Sequence, residues 1–312
     1  MTPTVVASQM PQEFNDLLAG RLPDVEILPI PMGPPEQLPA SVEILISRPF
    51  RKTGADRPQG WPFKLRWIAL QTAGIDIYPD WLFDGPVVTS ARGAAAVSIA
   101  EYVLGAILSD AKRMPEIWID GPERWTRMQL SLLSGQTLGL VGFGAIGEAL
   151  APRALALGMK VLAARRSQRP VALPDVERVA TVGELAERSD VLVLAAPATA
   201  ETHQILNGPV LARAKPGLHV INIARGSLVD DAALLQALDA GKVRLATLDV
   251  CSPEPAPAGH PYYSHPKVRL SPHISAFTPD SRINVANGFV DNLKRFRAGA
   301  PLNDVVDFKR GY

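Results

Sequence analysis

Six consecutive residues, Gly142-Phe143-Gly144-Ala145-Ile146-Gly147, spell G-x-G-x-x-G. The pattern alone is weak, and its context gives it weight. An apolar run, Thr137–Gly142, precedes it and reads as a strand; an Ala/Leu-rich run, Ala145–Leu157, follows and reads as a helix. There Gly142 permits a tight turn, Gly144 lets the main chain approach a pyrophosphate, and Gly147 lets helix and strand pack closely. The helix start at Ala145 and Ile146 then offers unpaired N–H groups and a positive dipole end to an anion. A glycine-rich turn without a ligand is the alternative. The following strand, Lys160–Ala164, would end in an acid if it bound a ribose 2′-hydroxyl; it ends in Arg165-Arg166-Ser167, with Arg169 nearby. Two guanidiniums and a hydroxyl suit a 2′-phosphate. The expected cofactor is NADP, with NAD possible, and a solvated basic turn is the alternative.

Five histidines could move a proton: His203, His219, His260, His265 and His273. His219 begins an expected strand and reads as structural. His260 and His265 lie in a Pro-rich loop, Ser252–Pro266, and are expected to be exposed, while His203 follows a strand end without an evident partner. His273, in Ser271-Pro272-His273-Ile274-Ser275, follows the last expected strand. Ligands of open α/β sheets bind where parallel strands end. Two other segments follow strands in the same way: Ile223-Ala224-Arg225-Gly226, and Asp249 through Glu254 to Pro255.

With these segments the chain resembles the D-isomer-specific 2-hydroxyacid dehydrogenase family, which includes glyoxylate/hydroxypyruvate reductases and phosphoglycerate dehydrogenases. The resemblance runs through Ala73–Asp76 (AGID), Ile99–Glu101 (IAE), the glycine fingerprint, Asn222–Gly226 (NIARG), the LDV and EP segments, PHIS, and the Gly311–Tyr312 tail. It implies that Arg225, Glu254 and His273 are catalytic. A bidentate Arg225 would hold the carboxylate and carbonyl oxygen of a 2-keto acid. His273 would give the proton, with Glu254 holding its imidazole and favouring the charged form. A structural salt bridge between loops is the alternative for Arg225 and Glu254. The resemblance also implies that Asp249 bonds the nicotinamide carboxamide and that Pro197 and Thr202 lie beside the adenosine and pyrophosphate. Ile223 and Ser275 join them in the cofactor site. The turn at Ala73, Gly74 and Ile75 would bind the substrate carboxylate. Arg48, after a strand end, is expected to contact substrate or else to be an exposed surface residue. Ala95 stands where many members have Asn, and Cys251 where an aromatic is common.

The elements needed to position these residues are legible. Thr4–Ala7, Val25–Ile30, Val42–Ser47, Leu65–Leu70 and Val87–Thr89 read as buried strands, with Pro11–Ala19 as a helix. A long apolar helix is expected over Ala94–Arg113, then an arm, Pro115–Gln129, carrying Trp118 and Trp125. Further strands are expected at Asp190–Ala195, His219–Ile223, Arg244–Asp249 and Val268–Ser271, and helices at Asp230–Ala240 and Asp280–Ala298. The expected class is α/β with two doubly wound parallel-sheet domains, a Rossmann dinucleotide-binding domain inserted in a flavodoxin-like substrate domain. Residues 94–274 would be the former, and residues 1–93 with 275–312 the latter.

Composition excludes several classes. The 312 residues are 47% hydrophobic and 20% charged, which excludes disorder as the main state. A formal net charge of +1 gives no electrostatic case for nucleic acid or an anionic membrane. The lone cysteine, Cys251, cannot close an intrachain disulfide and suits a reducing compartment; without a Cys/His set it reads as packing, and no metal site is expected. The apolar stretch Ala94–Leu108 is too short and polar for a membrane span. The expectation is a cytoplasmic protein, dimeric through the apolar helix and arm. The leading function is NADPH-dependent reduction of a small 2-keto acid, glyoxylate or hydroxypyruvate favoured, to the D-2-hydroxy acid. Alternatives are a dehydrogenase of another 2-hydroxy acid and a nucleotide-sensing corepressor on the same fold. Formate dehydrogenase, which places Gln beside its His, is disfavoured by Glu254.

Overall fold

The computed structural model of the chain describes residues 4–50, 55–166 and 173–312. The chain forms two compact units, Met1–Ala95 with Thr278–Tyr312, and Ala96–Phe277. The divisions fall a few residues beyond 93 and 274. Helices set them there: one begins at Ala96, and Thr278 caps another by accepting a hydrogen bond from Ser281 N–H.

The first unit contains β1 (Thr4–Ser8), α1 (Gln12–Ala19), β2 (Val25–Pro29), β3 (Val42–Ser47), β4 (Trp67–Leu70) and β5 (Val87–Thr89), completed by the C-terminal helix Pro279–Arg297. The strands are parallel in the order β2-β1-β3-β4-β5, with Val6 opposite Ile44 and Ile44 opposite Trp67. This is a doubly wound order, and both faces are covered. Phe14 and Leu18 of α1 pack one face together with Ala286, Phe289 and Leu293 of the C-terminal helix. Leu65, Tyr78 and Leu82 cover the other. Trp67 stacks on Phe289 at 5.0 Å, and its indole N–H donates to Thr89 Oγ1 at 2.9 Å.

The second unit runs α2 (Ala96–Ala111), β6 (Thr137–Val141), α3 (Ala145–Ala156), β7 (Lys160–Ala164), β8 (Val176–Arg178), α4 (Val182–Arg188), β9 (Val191–Leu194), α5 (Gly208–Arg213), β10 (Leu218–Asn222), α6 (Asp231–Asp239), β11 (Val243–Leu248) and β12 (Val268–Leu270). Its strands are parallel in the order β12-β11-β10-β9-β6-β7-β8. The order reverses at β6, flanked by β7 and β9, so the glycine turn after β6 sits at the topological switch point. α2 and α3 cover one face, α4 to α6 the other. Within this unit α2 buries a single stripe, Ala96, Ala100, Val103, Ile107 and Ala111, while Val97 is 48% exposed. No described helix is long and apolar enough to cross a membrane.

Candidate active site

The glycine turn is dictated by space. Gly142 has φ +93°, and a Cβ there would lie 2.9 Å from the carbonyl of Ala195 and from Ala196 N. A side chain would therefore meet main chain as well as backbone strain. Gly144 caps α3 without any side-chain hydrogen bond, and a Cβ there would meet nothing within 4 Å. The first-turn N–H groups at Ala145 and Ile146 thus open onto a space fit for an anion. Gly147 meets a residue just after β6. A Cβ there would press at 3.0 Å on the ring of Phe143.

β7 ends beside this turn, with Gly142 N–H donating to Ala164 O at 2.8 Å. Arg165 follows, then Arg166, whose Nη1 lies 2.6 Å from Glu201 Oε2 in a half-exposed ion pair. Ser167 and Arg169 lie outside the described residues. The loop after β9 is pinned by Thr202, whose hydroxyl donates to Pro197 O at 2.6 Å and accepts from Thr199 N–H at 2.8 Å. Pro197 is exposed.

Three loops at the C-terminal edge of the sheet bring Arg225, Glu254 and His273 together. After β10, buried Asn222 accepts from Ala224 N–H and donates to Arg225 O, fixing the turn that presents Arg225; Ile223 is 5% exposed. A Cβ on Gly226 would overlap the Cys251 carbonyl and Ser252 N, so glycine lets the Arg225 loop abut the one after β11. In that loop Glu254 Oε1 accepts from Cys251 N–H at 3.2 Å, and Oε2 stands 2.8 Å from His273 Nδ1. His273 has φ +53°, left-handed for a non-glycine residue. Its N–H donates to Asp249 O at 2.8 Å.

Electrostatics follow from these contacts. The bond to Glu254 raises the His273 pKa above its ordinary 6.5, burial and the Arg225 charge oppose it, and the Glu254 charge adds to it. Burial alone would raise Glu254, but the His273 bond and charge, the Cys251 N–H and Arg225 outweigh it and hold the carboxyl low. Asp249, 1% exposed, has its carboxylate engaged within the protein. Oδ1 accepts from Ser271 Oγ (2.6 Å) and Ile274 N (2.9 Å), and Oδ2 from Ser275 N (2.9 Å). No local pattern signals this tertiary use of Asp249 and Ser275, or the parts of Asn222 and Ser271.

Other expected positions fall differently. His260 and His265 are not exposed: their side chains are 15% and 13% accessible. His260 packs edge-on to Tyr262 and accepts from its N–H, while His265 meets Asp239 at 3.2 Å and accepts from Lys267 N–H. Cys251 is half-buried against the core beneath β11. Among the described residues no His/Cys/Asp/Glu group could hold a metal ion. In the first unit Arg48 is half-buried rather than exposed, its N–H donates to Gln9 Oε1 at 3.2 Å, and its Nε is buried without a hydrogen bond. The turn Ala73–Ile75 is held by Thr72 Oγ1 donating to Gly74 O at 2.8 Å, with buried Tyr78 below it.

Comparison with known proteins agrees on the family. A profile of the D-isomer specific 2-hydroxyacid dehydrogenase NAD-binding domain matches residues 104–275. A glyoxylate/hydroxypyruvate reductase A from Serratia proteamaculans is 30% identical over 96% of both chains. A D-3-phosphoglycerate dehydrogenase from Bacillus subtilis is 34% identical over 72% of this chain, which spans 43% of that protein's length. Among solved structures, a family member from Aeromonas salmonicida superposes with a TM-score of 0.82 at 31% identity, covering 99% of this chain and all of the other. One from Xanthobacter autotrophicus, solved with NADPH and MES, gives 0.84 at 27% identity with full coverage of both. A parallel sheet with its glycine turn at the switch point, motifs in order along the chain, and relatives that match it end to end have one reading: the chain belongs to the D-isomer specific 2-hydroxyacid dehydrogenase family.

Proposed function

We propose that this chain reduces a small 2-keto acid, glyoxylate or hydroxypyruvate favoured, to the D-2-hydroxy acid with NADPH. The observation that carries this reading is His273 Nδ1 at 2.8 Å from Glu254 on the sheet edge that also bears Arg225. The open cradle at Gly144 fits a dinucleotide pyrophosphate, at the first turn of α3. When bound, the nicotinamide supplies the hydride. Arg225 binds the substrate carboxylate and orients the carbonyl oxygen. His273, charged, keeps Nδ1–H on Glu254 and gives its Nε2 proton to that oxygen as it gains charge; solvent then restores the proton. Asp249 and Ser275 hold the loop under the cofactor's reactive end. In the first unit, the turn Ala73–Ile75 is read as binding the substrate carboxylate and Arg48 as a substrate contact.

Arg165 and Arg166 favour NADPH over NADH because they stand where a carboxylate would repel the 2′-phosphate. Glu201 competes with the phosphate for Arg166. The test is kcat/KM for NADPH and NADH with glyoxylate, hydroxypyruvate, pyruvate, phenylpyruvate and 3-phosphohydroxypyruvate, in wild type and Arg165→Asp. Wild type should prefer NADPH by ~30–150-fold, the equivalent of about 2–3 kcal/mol, and R165D should reduce or reverse that through the KM for NADPH. Equal use of NADH by wild type would overturn the cofactor assignment, and no turnover with any keto acid the function itself. A corepressor would bind the nucleotide without consuming it.

The reading includes a homodimer in the cytoplasm. Trp118, Trp125 and Leu132 are 64%, 81% and 72% exposed on one stretch of chain, more apolar surface than a monomer usually leaves uncovered. Sedimentation should show a dimer at micromolar concentration; a stable 33.5 kDa monomer would refute it.

A further inference from the structure

His273 sits in the left-handed region, φ +53°, without being glycine, so its surroundings must impose the conformation. Asp249 imposes part of it. Its carbonyl accepts from His273 N–H, and its carboxylate accepts from Ile274 N–H, Ser275 N–H and the Ser271 hydroxyl. Those bonds hold Asp249 ionised despite its burial. An ionised carboxylate only accepts, so the single Ser271 proton is committed to it. The 2.6 Å contact between Tyr102 OH and Ser271 Oγ then has one possible direction: Tyr102 donates. The resulting chain, Tyr102 to Ser271 to Asp249 to the two amides that follow His273, starts on α2. One turn earlier on the same helix, Ser98 Oγ donates to Ser275 O at 2.8 Å. Residues 98 and 102 are i and i+4, one above the other on a single face.

We infer that Tyr102 and Ser98 of α2 are positioning residues for His273, gripping both flanks of its loop so that the imidazole stays on Glu254. The inference rests on the proton-donor reading of His273. Neither hydroxyl is needed to seat the helix, although the Tyr102 ring packs against the core. The stripe Ala100, Val103, Ile107 and Ala111 does that, packed with Leu138, Leu150 and Ala154. Both hydroxyls are half-buried, and each spends its proton on the loop. Removing one leaves the helix docked and the loop less constrained. The 2.8 Å bond from His273 to Glu254 is then the contact to loosen, because it depends on a strained backbone.

The experiment compares Tyr102→Phe, Ser98→Ala and the double variant with wild type, and with Val97→Ala as a control on the exposed side of α2. Readouts are kcat, the KM for NADPH, the pH profile of kcat/KM, melting temperature, and NMR titration of the His273 ring, which needs no turnover. A misplacement of a reacting group by a fraction of an ångström predicts a ~10-fold loss of kcat in Y102F, a smaller loss in S98A and a larger one in the double variant. The KM for NADPH should stay within about twofold. The His273 titration and the basic limb of the profile should both move to lower pH as the Glu254 bond weakens. Y102F and S98A with wild-type kcat, pH profile and His273 titration would overturn the inference, even if their melting temperatures fall. If His273→Ala also turns over normally, the proton-donor reading has failed; if only His273→Ala is inactive, the positioning inference alone has failed. Should Y102F not fold, S98A and Ser271→Ala carry the same test.

Discussion

Two histidines of one sheet face an acid each, with opposite results. His219 lies at the start of β10, fully buried, its Nε2 2.9 Å from Thr247 Oγ1 and its Nδ1 3.4 Å from Asp110 Oδ2. Burial lowers its pKa, and the Asp110 interaction does not recover the loss. Asp110 is committed elsewhere, since Arg244 forks onto both its oxygens at 2.5 and 2.6 Å. Burial pushes the Asp110 carboxyl up, but His219 and Arg244 together hold it far below the usual range. His273, at the other end of the same sheet, is 43% exposed and bonded to a glutamate that also feels the charge of Arg225. Its pKa rises. A His–carboxylate pair is therefore no catalytic signature by itself; the solvent access of the ring and the prior commitments of the acid decide whether it can carry a proton.

The sharpest way to break this contrast is His273→Ala. It should lower kcat by at least ~10²-fold with NADPH affinity nearly unchanged, measured by steady-state turnover and cofactor titration. Near wild-type turnover would put the two histidines in one class. Next is Glu254→Gln, with an expected ~10-fold loss of kcat/KM near neutrality. Reduction needs the charged ring, so activity falls as pH rises through the raised His273 pKa; removing the main cause of the rise moves that limb to lower pH. Linkage runs the same way. A group with a raised folded pKa gives stability that is present below its unfolded pKa and lost as pH rises through the folded one, so Glu254→Gln should flatten that loss in urea unfolding. The smallest effect on turnover belongs to His219→Gln, expected within about twofold of wild type, with stability lower by ~1–3 kcal/mol from disturbed buried bonds. A ring with a lowered folded pKa stabilises above its unfolded value near 6.5 and loses that on acidification, so the variant should be less sensitive to acid.

The sequence made Arg225, Glu254 and His273 legible because each follows a strand, β10, β11 or β12, and parallel strands deliver their following loops to one edge. The long elements were legible for the same reason. Three short ones were not: β8 has one buried residue, and α4 and α5 are of 7 and 6 residues. A signal for α4 was present, since Thr181 and Glu184 have capping spacing and Thr181 accepts from Glu184 N–H. The burial of His260 and His265 is not legible locally because a Pro-rich loop normally lies in solvent; here the Tyr262 ring and the Lys267 N–H draw them inward. The role of Asp249 in bracing its neighbour loop depends on atoms brought together across 22 to 26 residues, which no local pattern encodes.

The contact at Gly226 limits how such a site can be retuned. The missing Cβ is occupied by the main chain of Cys251 and Ser252, which cannot rotate away as a side chain would. The loop carrying Arg225 and the loop carrying Glu254 consequently share one volume and travel as one body. Variation that drifts the cation without the acid is closed off at this point, to alanine as to every larger residue. Libraries seeking a new substrate would waste any diversity spent at position 226, and a saturation scan there should return glycine alone.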